Sequence, residues 1–325
     1  MCGILGVSGG GLDLVKSANL LLEHRGPDDC GVFVDKLVEI GLGHTRLSIL
    51  DTSSYGHQPM SSKDGKVVLV FNGEIYNFRE LRKNLEENNC KFCGQSDTEV
   101  LLNLYLLEGV EMLSKLNGIF AFAIWDYKNQ SLFIARDGLG VKPLYYSENN
   151  ENFSFASEIK ALLHLTPKNQ ELDKEEINRY LSFLWCPGEG TPLKSIRKLL
   201  PGEAIIVKSG NIVKKWTWYQ LPIFTGISAN LDKNKSISGT IKYLRQAVHR
   251  QMIADVPVGA FLSGGLDSSS IVALAREVDP DIRCFTIDTT GKQDKGVVND
   301  LPYAQKVAKH LDVALDVVSV DSSKI

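Results

Sequence analysis

The run Ser263-Gly264-Gly265-Leu266-Asp267-Ser268-Ser269 sits between an apolar strand pattern at 256–262 and a helical pattern at 267–278. A strand that passes through glycines straight into a helix commits the chain to a βαβ unit, because the helix crosses back over the sheet and the next strand returns parallel. The following pattern agrees, with a strand at 283–288, a helix at 302–311 and a strand at 315–320, all preceded by a helix at about 236–252. The end of the chain therefore reads as a three-stranded parallel sheet.

The same seven residues predict chemistry. Glycines allow a tight turn that brings backbone N–H groups close to a ligand, and the helix N-terminus and serine hydroxyls supply donors for phosphate oxygens. The lysine of a Walker A loop is absent. A serine-rich loop of this kind suits pyrophosphate as a leaving group, with Asp267 as an oxygen ligand for Mg²⁺, and so implies AMP-forming chemistry. A plain helix cap is the alternative, and the strand-to-helix setting favours the cradle.

The first part of the chain has another rhythm. Short apolar strands at 67–71, 120–125, 132–135 and 153–156 are punctuated by Gly, Asn and Asp, and helical stretches fall at 12–24, 98–108 and 112–116. This pattern predicts a layered α+β domain. Residues 165–235 are irregular apart from a helical stretch at 174–183 and a hairpin of 204–207 with 213–216 around Ser209-Gly210-Asn211. The expected domains are 1–217, with a core at 2–165, and 218–325.

Cys2 becomes the N-terminus once Met1 is removed. A free α-amine, with pKa near ~7.7 to 8.0, then lies a few bonds from the sulfur it must deprotonate. Alone, Cys2 reads more readily as a small buried apolar group. Cys90 and Cys93 have C-x-x-C spacing but no second ligand pair at a similar spacing, so ordinary loop thiols are expected there. The net charge of −3 offers no broad positive field for nucleic acid or an acidic membrane. No apolar run approaches the ~18 residues of a membrane span, and the N-terminus lacks signal-peptide character, so the cytoplasm is the expected compartment.

The two motifs together carry a resemblance. The loop 263–269 looks like the PP-loop of ATP pyrophosphatases, and Met1-Cys2-Gly3-Ile4 is similar to the start of class II glutamine amidotransferases. In this order they resemble the glutamine-hydrolysing asparagine synthetase family. His24-Arg25-Gly26-Pro27-Asp28, the run 44–49, the run 71–77, Ser96-Asp97-Thr98-Glu99, Ala135-Arg136-Asp137 and the run 140–145 match the family's amidotransferase motifs. The implied fold is an αββα N-terminal-nucleophile domain followed by an incomplete α/β parallel-sheet PP-loop domain.

The resemblance also implies roles. Cys2 attacks glutamine, with the Asn72 side chain and Gly73 N–H holding the oxyanion. Arg46 grips the α-carboxylate through a bidentate fork, and Asp97 with Glu74 takes the α-ammonium. Leu47, Ser48, Ile49 and Leu50 complete the glutamine site. Leu262, Ser263, Gly264, Gly265, Leu266, Asp267, Ser268 and Ile287 are implied for ATP, with Leu262 and Ile287 flanking adenine and ribose, and Asp267 for Mg²⁺. Glutamine, aspartate and ATP are the implied substrates and a homodimer the implied assembly. His24 and His44 are expected to be structural.

Family members continue for two hundred or more residues and usually show a histidine near 312–316 and paired acids near 299–300. This chain has Asp312-Val313-Ala314-Leu315-Asp316 and Asn299-Asp300 there. The expectation is that the chain alone hydrolyses glutamine without completing synthesis. A related ATP-dependent enzyme that amidates another carboxylate shares both domains, whereas the intact Cys2 argues against the β-lactam synthetase type.

Overall fold

A computed structural model describes residues 1–149, 152–166, 170–223, 232–290 and 300–321; Asn299 and the tail 322–325 lie outside them. The chain divides into two compact units, Met1–Phe224 and Thr225–Ile325.

The first unit runs β1 (Gly3–Ser8), α1 (Val15–Leu20), β2 (Asp29–Asp35), β3 (Ile40–Arg46), β4 (Met60–Ser61), β5 (Val67–Ile75), α2 (Phe78–Glu87) and α3 (Asp97–Glu108). It continues with β6 (Gly118–Asp126), β7 (Ser131–Arg136), β8 (Tyr145–Asn149), β9 (Asn152–Ala156), α4 (Ile159–Leu165), α5 (Lys174–Phe183), β10 (Arg197–Lys198), β11 (Glu203–Lys208) and β12 (Asn211–Thr217).

These strands form two antiparallel sheets, ordered β10-β8-β9-β1-β3-β2 and β12-β11-β7-β6-β5-β4. β1 and β3 are buried at every residue, as strands with cover on both faces must be. Ile4, Ile40 and Leu42 of the first sheet share a core with Val68, Val70, Ala121, Ala123 and Ile134 of the second. On the other face of the first sheet, Leu5 and Val7 pack with Val15, Ala18, Ala161 and Leu162 of α1 and α4. This is the αββα architecture.

Local differences from the sequence reading have physical causes. The helical stretch expected at 12–24 is one α-helical segment, Val15–Leu20, between 3-10 turns Leu12–Leu14 and Glu23–Arg25. Thr45 Oγ1 donates to Leu22 O and the Asn19 amide donates to His44 O, so sheet contacts override the helical ladder. The stretch expected at 112–116 is a 3-10 turn, Gly109–Lys115, entered through Gly109 at φ 59. β5 runs on to Ile75, which places Asn72 and Gly73 inside a strand and rules out a hairpin turn there.

The second unit comprises α6 (Lys233–Gln251), β13 (Gly259–Phe261), α7 (Leu266–Ala275), β14 (Arg283–Thr290), α8 (Leu301–Leu311) and β15 (Leu315–Asp321). Its sheet is parallel, in the order β13-β14-β15. β13 is shorter than the apolar run at 256–262 because Pro257 has no N–H to give to a ladder. Leu262, Val272, Cys284, Ala304 and Ala308 form its small core. Among the described residues no helix is long and apolar enough to cross a membrane.

Candidate functional site

Cys2 precedes β1 and is half-buried. Its carbonyl accepts from Arg25 Nε at 2.9 Å, and Arg25 Nη1 in turn reaches Glu158 Oε1 at 2.9 Å, which pins the start of the chain. Leu47 N–H points at Sγ from 3.4 Å, and Sγ lies 3.7 Å from Leu47 O. Burial pushes the thiol up, and the Leu47 N–H, the chain amine and Lys142 oppose that rise. The amine present here is that of Met1, and burial holds it below its usual value.

β5 presents the N–H of each alternate residue to the edge away from β6. Phe71 N–H donates to Gln58 Oε1 at 2.7 Å and Ile75 N–H to Asp97 Oδ2 at 2.9 Å. Gly73 lies between them, opposite Phe120. Both backbone groups of Phe120 are taken on its other side, by the Asp137 carboxylate at 3.2 Å and the Asp137 N–H at 2.8 Å. The Gly73–Phe120 pair is therefore a non-hydrogen-bonded one, so the Gly73 N–H points outward. It makes no hydrogen bond among the described residues. A Cβ at this position would run into Ile119 O and the Phe120 backbone, so only glycine lets the strands approach this closely.

Asn72 is 1% exposed, and neither atom of its amide has a partner. Leaving such a group buried and unpaired costs about 1–3 kcal/mol, which fits a donor kept open for a ligand. Asp97 opens α3, whose N-cap Ser96 accepts from Glu99 N–H. Burial raises the carboxyls of both Asp97 and Glu74 above the usual range; the Asp97 charge adds to the rise at Glu74, and hydrogen bonds from Ile75 and Thr98 oppose it at Asp97. Lys142 opposes the shift at Glu74.

Arg46 differs from expectation. It is 6% exposed, and its guanidinium donates to Ser53 O at 3.1 Å, to Leu50 O at 3.2 Å and to Asp51 O. Both Nη2 hydrogens are thereby committed to the loop, so neither two-nitrogen face of the fork is complete for a carboxylate. Ser48 N–H donates to Asp28 Oδ2, while Leu50 is buried and Ile49 half-buried. His44 is a core group: its Nε2 lies 3.1 Å from Phe71 O, and burial pulls its pKa down to about 3. His24 pairs with Glu158 at the surface.

In the second unit, Gly265 caps α7 without any side-chain help and Gly264 stands at φ 80, packed on the backbone of Tyr303 and Ala304. Ser263 and Ser268 hydroxyls lie 3.1 Å apart and Ser269 Oγ donates to Gly265 O at 2.6 Å, so the loop satisfies its own hydroxyls. Leu266 and Asp267 are exposed in the first turn of α7. Ile287 is exposed beyond the end of β13, at the carboxyl edge of the sheet. The Leu262 side chain, by contrast, is 1% exposed in the core, so it has only backbone to offer a ligand. Among the described residues, no group of three or more acidic, His or Cys side chains is disposed to hold a metal.

The sequence model described as glutamine amidotransferase domain matches residues 1–219. The chain belongs to that family. The asparagine synthase model matches residues 240–325 of the same chain. Asparagine synthetase (glutamine-hydrolyzing) 1 of Bacillus subtilis is 38% identical over 88% of the chain and 46% of its own length. The putative asparagine synthetase (glutamine-hydrolyzing) 2 of Methanocaldococcus jannaschii is 38% identical over 91% of the chain and 61% of its own length. The chain thus spans about half the length of the curated relatives it matches. Among solved structures, glutamine phosphoribosylpyrophosphate amidotransferase from B. subtilis superposes with a TM-score of 0.54 at 18% identity, over 98% of this chain and 91% of that one. That likeness establishes the fold.

Lys142 was not singled out by sequence. It is 7% exposed, no carboxylate lies within 4.0 Å of its ammonium among the described ion pairs, and it acts on both Cys2 and Glu74. In the sequence it stood only within the 140–145 motif match, with nothing to set it apart from its neighbours.

Proposed function

We propose that this chain is a glutamine-dependent asparagine synthetase. On this reading Cys2 releases ammonia from glutamine, and the ammonia amidates β-aspartyl-AMP made from aspartate and ATP. One observation carries it: an outward Gly73 N–H and an unpartnered Asn72 amide lie on the strand that carries Glu74, whose charge acts on Cys2, in a chain that continues into an asparagine synthase match. Junction residues near 217–224, a cytoplasmic setting and a homodimer belong to the same proposal.

Once Met1 is removed, the α-amine of Cys2 takes the thiol proton and Sγ attacks the side-chain carbonyl carbon of glutamine. The oxygen gains negative charge between Asn72 and Gly73. Collapse of this adduct returns the proton to the leaving nitrogen, releases ammonia and leaves a thioester, and water then yields glutamate and the free thiol. The substrate ammonium faces Asp97 and Glu74, and Arg46 meets the carboxylate after exchanging a loop carbonyl for it.

ATP phosphates would lie on the N–H groups of 264–268, the loop serines exchanging their mutual bonds for phosphate oxygens. A single exposed carboxylate beside such a cradle fits Mg²⁺ held jointly by Asp267 and substrate phosphates. Bound there, the ion would neutralise charge on the departing pyrophosphate.

The test is a glutaminase assay on the Met1-free chain beside ATP–pyrophosphate exchange with aspartate. Glutaminase activity is expected, and whatever exchange the chain supports is expected to depend on aspartate. Exchange driven by another carboxylate would reassign the acceptor, a reading that a 31% identical relative named amidase chry2 of Gibberella zeae keeps in view. Absence of glutaminase activity overturns the proposal.

A further inference from the structure

Lys142 is held by more than its own side chain. Arg136 clamps the loop after β7, donating to Gly140 O, to Leu199 O at 2.5 Å and to Lys142 O at 2.7 Å. The Asp137 carboxylate accepts from Leu139, Val141 and Lys142 N–H, and also from Phe120 N–H. Phe120 is the residue opposite Gly73. One carboxylate therefore stitches the Lys142 backbone to the strand position that faces the outward Gly73 N–H.

The side chain sits in a cluster in which its ammonium, the chain amine and the Arg25 guanidinium stand among acids and the Cys2 thiol. Cys2 and Glu74 both act on Lys142, with Arg25 and Asp137 beyond them. The remaining charges are the chain amine on Cys2, Arg25 and Asp28 on that amine, and Asp97 on Glu74. Arg25 spends its Nη1 on Glu158 and its Nε on the Cys2 carbonyl and leaves only its Nη2 without a partner, whereas the Lys142 ammonium makes no hydrogen bond at all among the described residues. A desolvated ammonium with no ion-pair partner is costly to keep, so its charge is placed where a negative charge will appear.

We propose that Lys142 is a charge-positioning residue that holds the Cys2 sulfur as thiolate and is shared, in the empty site, with Glu74. When the thiol proton moves to the α-amine, Lys142 keeps its own proton and faces the new anion, and no bond to it forms or breaks. When a substrate ammonium takes over Asp97 and Glu74, the Lys142 charge is left to the sulfur alone, so occupancy by glutamine activates the nucleophile. This rests on the glutamine-site reading above.

The test follows alkylation of Cys2 by iodoacetamide against pH in the Met1-free full chain, read on the N-terminal peptide by mass spectrometry so that exposed Cys30 and Cys93 do not interfere. Lys142→Met is expected to raise the midpoint by about one pH unit, and Lys142→Arg to keep it within about 0.3 of the parent. Glu74→Gln is expected to lower it, and serves alone if Lys142→Met does not fold. A midpoint unchanged in folded Lys142→Met, equal shifts in the Met and Arg variants, or a midpoint unchanged or raised in Glu74→Gln overturns the proposal. Because alkylation needs no turnover, a chain without glutaminase activity that still shows the Lys142-dependent shift loses the proposed function and keeps this inference.

Discussion

The two units treat their polar groups in opposite ways. In the first, Asn72, the Gly73 N–H, Asp97 and Glu74 are placed in or against the core, and the amide and the N–H are left unpaired. In the second, the loop 263–269 is largely exposed and its serines bond to one another and to Gly265. A site of the first kind is organised before its substrate arrives, with the cost carried by the surrounding sandwich. The second kind can afford no such debt, because its core is a handful of residues and Phe261, Ile287 and Val318 stay exposed. Its loop gains order by exchanging internal bonds for those of a ligand.

The largest expected effect separates the units outright. Cys2→Ala should lower glutamine hydrolysis by on the order of 10³-fold or more, with ATP-analogue binding to the second unit unchanged in equilibrium dialysis. A parallel loss of nucleotide binding would mean that the units are not independent. Next, Asn72→Ala should cost about 10²–10³ in kcat while the thermal midpoint holds or rises, since the amide removed has no partner to lose. Activity and stability measured on one preparation decide this, and a clear fall in the midpoint contradicts an open donor.

The acid pair gives a smaller, pH-resolved effect. Glu74 and Asp97 are raised in the folded state, so their contribution to stability is full at low pH and is lost as pH rises through their folded values. Glu74→Gln should therefore flatten the decline in denaturant midpoint between acid and mildly alkaline pH. The KM for glutamine in the parent should climb on acidification, as the carboxylates that meet the ammonium take up protons. His44 has the opposite sign: kept neutral by burial, with its pKa near 3, it costs stability as pH falls from its ordinary range toward that value. The smallest effect belongs to the exposed loop, where Ser268→Ala should weaken ATP binding by roughly tenfold, one hydrogen bond's share, with a stability change within about 0.5 kcal/mol.

Much of this division was legible in the sequence. Alternation of strands and helices after residue 232 defined the parallel sheet, and Gly-punctuated apolar strands defined the sandwich. What escaped depends on contacts distant in sequence. Thr45 and the sheet break up the stretch 12–24, and the Arg46 guanidinium is claimed by carbonyls of a loop with no hydrophobic period to reveal it. Leu262 was implied for the nucleotide by the family resemblance, and the burial of its side chain in the small core was not visible from its position. Lys142 gave no periodic signal, since its burial is set by Asp137 and Arg136 through backbone groups.

The order of strands also sets a clock for biosynthesis. β1 lies between β3 and β9, and its register with β9 joins Leu5–Ser8 to Phe153–Ala156. A ribosome adding about 5–20 residues per second needs roughly 8–30 s to deliver the last of those partners after the first residues emerge. Throughout that interval β1 keeps its β9 edge open, paired on its other edge with β3 alone once that strand has emerged. The sheet around the N-terminus therefore closes in two steps, and translation speed decides how long the second edge waits.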